Sequence, residues 1–262
     1  MKKLILATAA VMVMAGSASA ADMAVKYRPE VKRCAADWWR GGYIGVNGGG
    51  VNYTANRTDQ DSFLFNGTTV QQNWGWGVGG QIGYNWTTCN TLWGIEVDGQ
   101  WARADVTTRF GANLAFPGFA PDLTMHSRFD AFVTARVRTG IVLDSLLLYV
   151  TGGVAAVRTR TTYHNAVTFS APFVPGTFTA DGDARDWRLG FVAGFGSEWA
   201  WTDRISLRSE VLYIQTADRE DRINIVQNVG APFFTNYTSS DSIWVSRVGL
   251  NFKFGAPVRA AY

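Results

Sequence analysis

The chain has only two histidines, His126 and His164, and His126 stands beside Ser127, a base next to a possible nucleophile. Successive strand residues point to opposite faces, so this pair cannot readily pass a proton between side chains. A second motif, Gly75-x-Gly77-x-x-Gly80, spells a dinucleotide fingerprint. That chemistry needs a helix N-terminus to hold the pyrophosphate, and no helical period follows these glycines. Two isolated histidines also make a poor metal or haem site. The residues therefore point to no catalytic set, no metal and no cofactor.

The remaining chemistry lies in charged residues at alternate positions. They are Glu96, Asp98, Arg128, Asp130, Arg136, Arg138, Asp186, Arg188, Glu198, Arg208, Glu210, Arg247 and Lys253. Each is set against a facing row of large apolar residues. Residues 74–86 put Trp74, Trp76, Val78, Ile82, Tyr84 and Trp86 on one face and mostly Gly, Gln81 and Asn85 on the other. Residues 92–104 oppose Trp93, Ile95, Val97 and Trp101 to Glu96, Asp98 and Gln100. Residues 127–142 oppose Phe129, Val133, Val137 and Ile141 to the charges from Arg128 to Arg138.

The same alternation marks residues 186–201, 204–214 and 242–254. Residues 43–53 are glycine-rich, with Ile44 and Val46 outward and Asn47 inward, and residues 146–158 are apolar on both faces. The pattern predicts eight strands, most of them with a greasy wall and a largely polar wall.

Connections after the second, fourth and sixth strands are short, at 87–91, 143–145 and 202–203. The others, at 54–73, 105–126, 159–185 and 215–241, are long and rich in Asn, Asp, Thr and Gly. The charge run Asp218–Arg222 falls in the last of these and reads as a solvated loop base, with lipopolysaccharide phosphates as a further contact for its arginines. Short turns at one end and long loops at the other is the layout of an all-β, transmembrane, antiparallel up-and-down β-barrel. The short turns then face the periplasm. Trp86, Trp93, Trp199 and Trp201 fall near that end, and Trp74, Trp76, Trp187 and Trp244 near the other, as two aromatic girdles. Eight strands enclose a lumen that side chains can fill, so the inward charges predict an ion-paired interior.

Residues 1–20 carry Lys2 and Lys3, an apolar run and Ala18–Ser19–Ala20, the pattern of a secretory signal peptide. Residues 21–37 read as a mobile periplasmic tail, 38–254 as the outer-membrane barrel and 255–262 as a short C-terminal tail. Aromatic residues make up 14% and charged residues 17%, while the net charge of +3 leaves no footprint for nucleic acid. Cys34 and Cys89 are the only cysteines. Both fall on the periplasmic side, so a disulfide is geometrically open to them, and two unpaired thiols are the alternative.

The blocks Gly42–Gly49, Leu148–Val154, Ile205–Tyr213 and Arg247–Phe254 resemble the small outer-membrane immunogenic (porin-family) barrels of alphaproteobacteria. The resemblance implies an eight-stranded, OmpA-like, surface-exposed and antigenic barrel with a structural or weak pore role. It also implies that Arg247, Gly249, Phe252 and Phe254 form the signal read by the barrel-assembly machinery. The chain departs from the family by continuing past Phe254.

The sequence thus points to a non-enzymatic structural and surface protein of the outer membrane. A small-solute porin and loop-mediated binding of a ligand or host surface, haem included, stand as alternatives. The expected partners are outer-membrane lipid, lipopolysaccharide and the assembly machinery, and the barrel is expected to be a monomer.

Overall fold

The computed structural model describes residues 35–59, 68–110, 119–169, 176–227 and 233–254. A 3-10 turn, Ala35–Trp39, leads into strand β1, Gly41–Asp59. Then follow β2 (Thr68–Thr88), β3 (Thr91–Phe110), β4 (Phe119–Leu143) and β5 (Leu146–Phe169). The chain ends with β6 (Gly176–Ala200), β7 (Ile205–Thr216), β8 (Arg219–Gln227) and β9 (Phe233–Lys253). Neighbours pair antiparallel in chain order, and β9 closes the sheet onto β1.

Segments β7 and β8 lie end to end between β6 and β9, so the closed barrel has eight staves. Gln215 pairs with Ser242 and Arg219 with Ser239, so 216–218 oppose only 240–241. This is a bulge. The Thr216 hydroxyl fills the gap, accepting from the Asp241 amide at 2.8 Å and donating to the Asp241 carbonyl at 3.2 Å.

The strands run well past their expected outer ends, and most of the four expected long loops is sheet. The residue run at Asp218–Arg222, expected as a loop base, lies mainly in β8. The physical reason is the lipid boundary. A strand of about 20 residues tilted by about 40° rises about 50 Å, twice the apolar band of about 25 Å. Beyond that band the outward residues are no longer apolar, so alternation fades while backbone pairing continues.

A second correction concerns β4. Register shifts fall between Phe129 and Ala131 against β5, and between Trp101 and Ala104 on β3. The extra residue at Asp130 reverses the inside–outside phase of everything before it in β4. Phe129, expected to face lipid, is buried in the lumen, and Arg128 and Asp130, expected in the lumen, face outward. A one-residue slip moves every side chain to the other face.

The short connections are tight. Cys89 and Asp144 adopt φ of 50° and 56° as first residues of the two-residue turns Cys89–Asn90 and Asp144–Ser145. That left-handed backbone suits a two-residue hairpin. At the third turn the Thr202 hydroxyl accepts the Ile205 amide at 3.0 Å.

Candidate functional site: a filled and layered lumen

The interior is a stack of four layers. At the end bearing the short turns, the 3-10 turn sends Trp38 and Trp39 into the barrel mouth, both buried. Trp38 Nε1 donates to the Asp203 carbonyl at 3.0 Å, and Asn85 Nδ2 donates to the Trp39 carbonyl at 3.1 Å. Lys253 Nζ lies 4.2 Å and 4.3 Å from the two indole ring centroids and donates to the Trp39 carbonyl at 3.3 Å. Its partner is therefore an aromatic plug rather than the carboxylate expected across the lumen. Two ring faces and a carbonyl offset part of the cost of burying this ammonium. Leu92, Val142, Leu147 and Ala200 pack around the plug.

Above the plug sit Glu96, Asp98, Glu198 and Glu210 against Arg136, Arg138, Arg208 and Arg247, all buried. Four positive and four negative groups leave the layer neutral. Some of the bonds cross the lumen and the rest join neighbouring strands. Arg136 of β4 reaches Glu210 of β7 at 3.0 Å and Asp98 of β3 at 2.7 Å, with Glu96 also in contact. Arg208 of β7 reaches Glu96 at 2.5 Å and also contacts Glu210. Arg138 meets Glu198 at 3.2 Å.

Neutral groups complete the set. Tyr43 donates to Glu96 at 2.5 Å and Tyr149 to Glu210 at 3.0 Å, while Arg138 lies over the Tyr43 ring at 4.5 Å. Buried charges persist only when paired and hydrogen-bonded to this degree. Gly83 and Gly196 make room, because a Cβ on either would collide with the hydroxyl of Tyr43 or Tyr149.

The third layer is apolar. Val51, Tyr53, Phe129, Phe132, Leu212, Ile214, Ile243 and Val245 are each 0% exposed and fill the bore. Phe129 stacks on Tyr53 and Phe132 with centroids 5.7 Å and 5.9 Å apart. The fourth layer is a smaller ionic cap. Asp241 of β9 receives Arg57 at 2.6 Å and Arg188 at 3.2 Å, and Arg57 also donates to the Tyr53 hydroxyl at 3.2 Å.

The structure thus brings together eight of the thirteen expected lumen charges in one network. Arg188 belongs to the upper cap and Lys253 to the plug. Asp186 lies at the open mouth, paired with Arg219 at 2.8 Å, and Arg128 and Asp130 pair with each other on the outer wall at 2.6 Å. Arg57 and Asp241 went unread because both fall in or beside stretches expected as loops. The apolar layer did leave a signal, in Ile243 and Val245 on the otherwise polar face of β9. The plug left none beyond two adjacent tryptophans at the edge of the expected tail.

On the outer wall, Trp86 and Trp93 pair across β2 and β3, with Trp199 and Trp201 exposed at the same end. Trp74, Trp76, Trp187 and Trp244 are exposed toward the opposite end, joined by Trp101. Phe252 and Phe254 meet edge to face at 5.4 Å on that wall, while Arg247 and Gly249 face inward. Cys89 is disulfide-bonded. Cys34, the chain's other cysteine, lies outside the described residues. His126 Nδ1 lies 3.0 Å from Thr107 Oγ1, while Ser127 turns into the lumen. His164 meets Asp181 at 2.5 Å on the outer wall.

A closed barrel with an apolar exterior between tryptophan rings and a charged, filled interior is an integral outer-membrane protein. The chain belongs to the family of the outer membrane protein beta-barrel domain, whose model matches residues 7–254. It is 30% identical over 263 residues to the 31 kDa outer-membrane immunogenic protein of Brucella melitensis, covering 97% of this chain and 100% of the relative. The protein of the same name from Brucella suis matches with the same identity and coverage. Among solved structures, the outer membrane protein OprG of Pseudomonas aeruginosa is similar at 13% identity and a TM-score of 0.41, over 82% of this chain and 98% of that one. The protein is an outer-membrane β-barrel of the Gram-negative cell envelope.

Proposed function

We propose that this barrel is a non-conducting, non-enzymatic wall element of the outer membrane, displaying its outer strand ends at the cell surface. The observation that carries the reading is the apolar layer across the bore. An ion following the lumen would meet the side chains of Phe129, Phe132, Leu212, Ile214, Ile243 and Val245, none of which can replace its hydration shell. The ionic layers on either side are filled by their own counter-charges, which argues against a diffusion path for small solutes. Purified barrel reconstituted in planar bilayers should show no steady conductance, and liposomes carrying it should not swell faster in small sugars than empty ones. A stable, reproducible channel would reject the reading in favour of a porin.

The enzyme-free part rests on the outer wall. His126 has Thr107 within hydrogen-bond distance, but Asp105 stands 3.8 Å from its other nitrogen and is shared with Arg103 and Arg128. Among the described residues no serine or cysteine lies within hydrogen-bond distance of His126, since Ser127 turns into the lumen. Residues 1–20 serve as the export signal, 38–254 as the barrel, and the C-terminal strand as the element read during assembly. The paired neutrality of the lumen needs no second copy, in keeping with a monomer.

A further inference from the structure

The outer wall of β3 to β6 carries a band of arginines just beyond the lipid-facing residues. Arg103, Arg128, Arg158, Arg160 and Arg185 all face outward. They alternate along their strands with lumen-facing Ala104, Phe129, Thr159 and Thr161. Backbone register lines up Arg128 with Arg160, and Arg160 with Arg185, so three arginines stand side by side on adjacent strands. Neighbouring strands are about 4.8 Å apart, which sets the spacing of the row.

The band is one-sided. At comparable height the rest of the barrel turns Thr54, Gln72, Gln215, Ser240 and Ser242 outward, and the exposed Asp218 and Glu220 add acids. Its depth is also fixed. Arg103 pairs in register with Trp76, and Arg158 with Trp187, both in the outer tryptophan ring. Tryptophan marks the membrane interface, so these arginines stand where the headgroups of the outer leaflet lie.

From this geometry we infer that the β3–β6 wall is a docking face for the phosphate groups of lipopolysaccharide, the phosphorylated glycolipid of the outer leaflet. The inference rests on the orientation argued above, with the short turns toward the periplasm. Three interleaved acids, Asp105, Asp183 and Asp130 (2.6 Å from Arg128), orient the five arginines and leave the band net positive. Asp183 holds Arg160 by two contacts of 3.0 Å and Arg185 at 3.6 Å, and Asp105 stands 3.7 Å from both Arg103 and Arg128. Hydrogen bonding from Arg160 keeps the Asp183 carboxyl below the usual carboxylate range, so the brace stays charged in mild acid. Arg158 forms no ion pair among the described residues and is free to fork a phosphate.

The test uses the full barrel in nanodiscs and fluorescent lipopolysaccharide as the probe. Arg103→Gln, Arg158→Gln and Arg185→Gln combined should weaken binding by about tenfold or more, because charged hydrogen bonds to phosphate are lost. The same three positions changed to Lys should keep most of the affinity, and Arg219→Gln at the lumen mouth should keep all of it. Dephosphorylated glycolipid should bind wild type as weakly as the triple Gln variant, and inorganic phosphate should not displace the probe. Heat-modifiable gel mobility verifies that each variant is folded. Unchanged binding by the folded triple Gln variant, or equal binding of the dephosphorylated lipid, would overturn the assignment. Full displacement by inorganic phosphate would replace it with a free-phosphate site. None of these readouts depends on conductance, so failure here leaves the sealed-lumen reading standing.

Discussion

Arg247 and Glu210 are joined by a fork: Nε and Nη2 of the arginine donate to the same carboxylate oxygen at 2.9 Å and 2.6 Å. The pair sits in direct register on β7 and β9, and Arg247 also reaches Asp98 on β3 at 3.0 Å. One side chain of the closing strand therefore ties itself to a neighbour and to the opposite wall. Glu210 answers three arginines, 136, 208 and 247. Glu210→Ala should thus strand buried positive charge and destabilise the barrel by about 3–5 kcal/mol. Urea unfolding in detergent micelles, followed by tryptophan fluorescence, measures this. A loss below about 1 kcal/mol would mean that water or a rearranged acid replaces the carboxylate.

The apolar layer predicts a separation of stability from conductance. Phe132→Ala and Leu212→Ala each remove a fully buried side chain and should cost about 2–5 kcal/mol. Neither should open a channel, because the ionic layer below still fills the bore. Bilayer recordings on the folded variants check the second half of the claim.

Tyr43 and Gly83 offer a double-mutant test of lumen packing. A Cβ at Gly83 would strike the Tyr43 hydroxyl, which itself donates to Glu96 at 2.5 Å. Gly83→Ala should destabilise by about 1–3 kcal/mol through overpacking. In the Tyr43→Ala background the same change should cost less, since the struck hydroxyl and ring carbon are gone and only the Ile95 carbonyl is left close. The two losses should therefore be non-additive.

Much of this architecture was legible because lipid imposes a strict rule on one wall. Trp93, Ile95 and Val97 had to alternate with Glu96 and Asp98, and they do. Legibility ended where that rule ends. Above the tryptophan ring the residues of β1 and β9 are polar on the outside as well, so Arg57 and Asp241 sit in strands with no period to read. Asp130 defeated the reading differently. A bulge leaves no mark on composition, yet it moved Phe129 into the core and turned Arg128 onto the wall. The charge network was visible as residue types on one face. Which acid meets which arginine was not, because neighbouring-strand pairs such as Arg247–Glu210 are mixed with pairs across the lumen such as Arg208–Glu96.

Cys89 closes the β2–β3 turn with a positive φ uncommon outside glycine, and it is disulfide-bonded. With Cys34 as the only other cysteine, Cys89→Ser opens a loop whose closure is worth about 4 kcal/mol in the chain-entropy model. The variant should unfold at lower urea concentration. The wild type, but not the variant, should shift in gel mobility on reduction. Equal mobility with and without reductant in wild type would show that the bond is not formed in the cell.

Phe252 and Phe254 separate assembly from stability. They face lipid side by side at the end of β9, while the structural bonds of that strand are made by Arg247, Asn251 and Lys253 on the other face. Replacing both rings with Ala removes no lumen contact and leaves the backbone pairing to β1 and β7 in place. The refolded double variant should therefore lose little stability in vitro. In cells its outer-membrane level should fall sharply, since the rings are the apolar part of the terminal strand offered to the assembly machinery. Quantitative immunoblots of outer-membrane fractions, set beside urea midpoints of refolded protein, give both numbers. Normal membrane levels would reject the assembly role. A large midpoint loss would instead assign the two rings to the finished barrel.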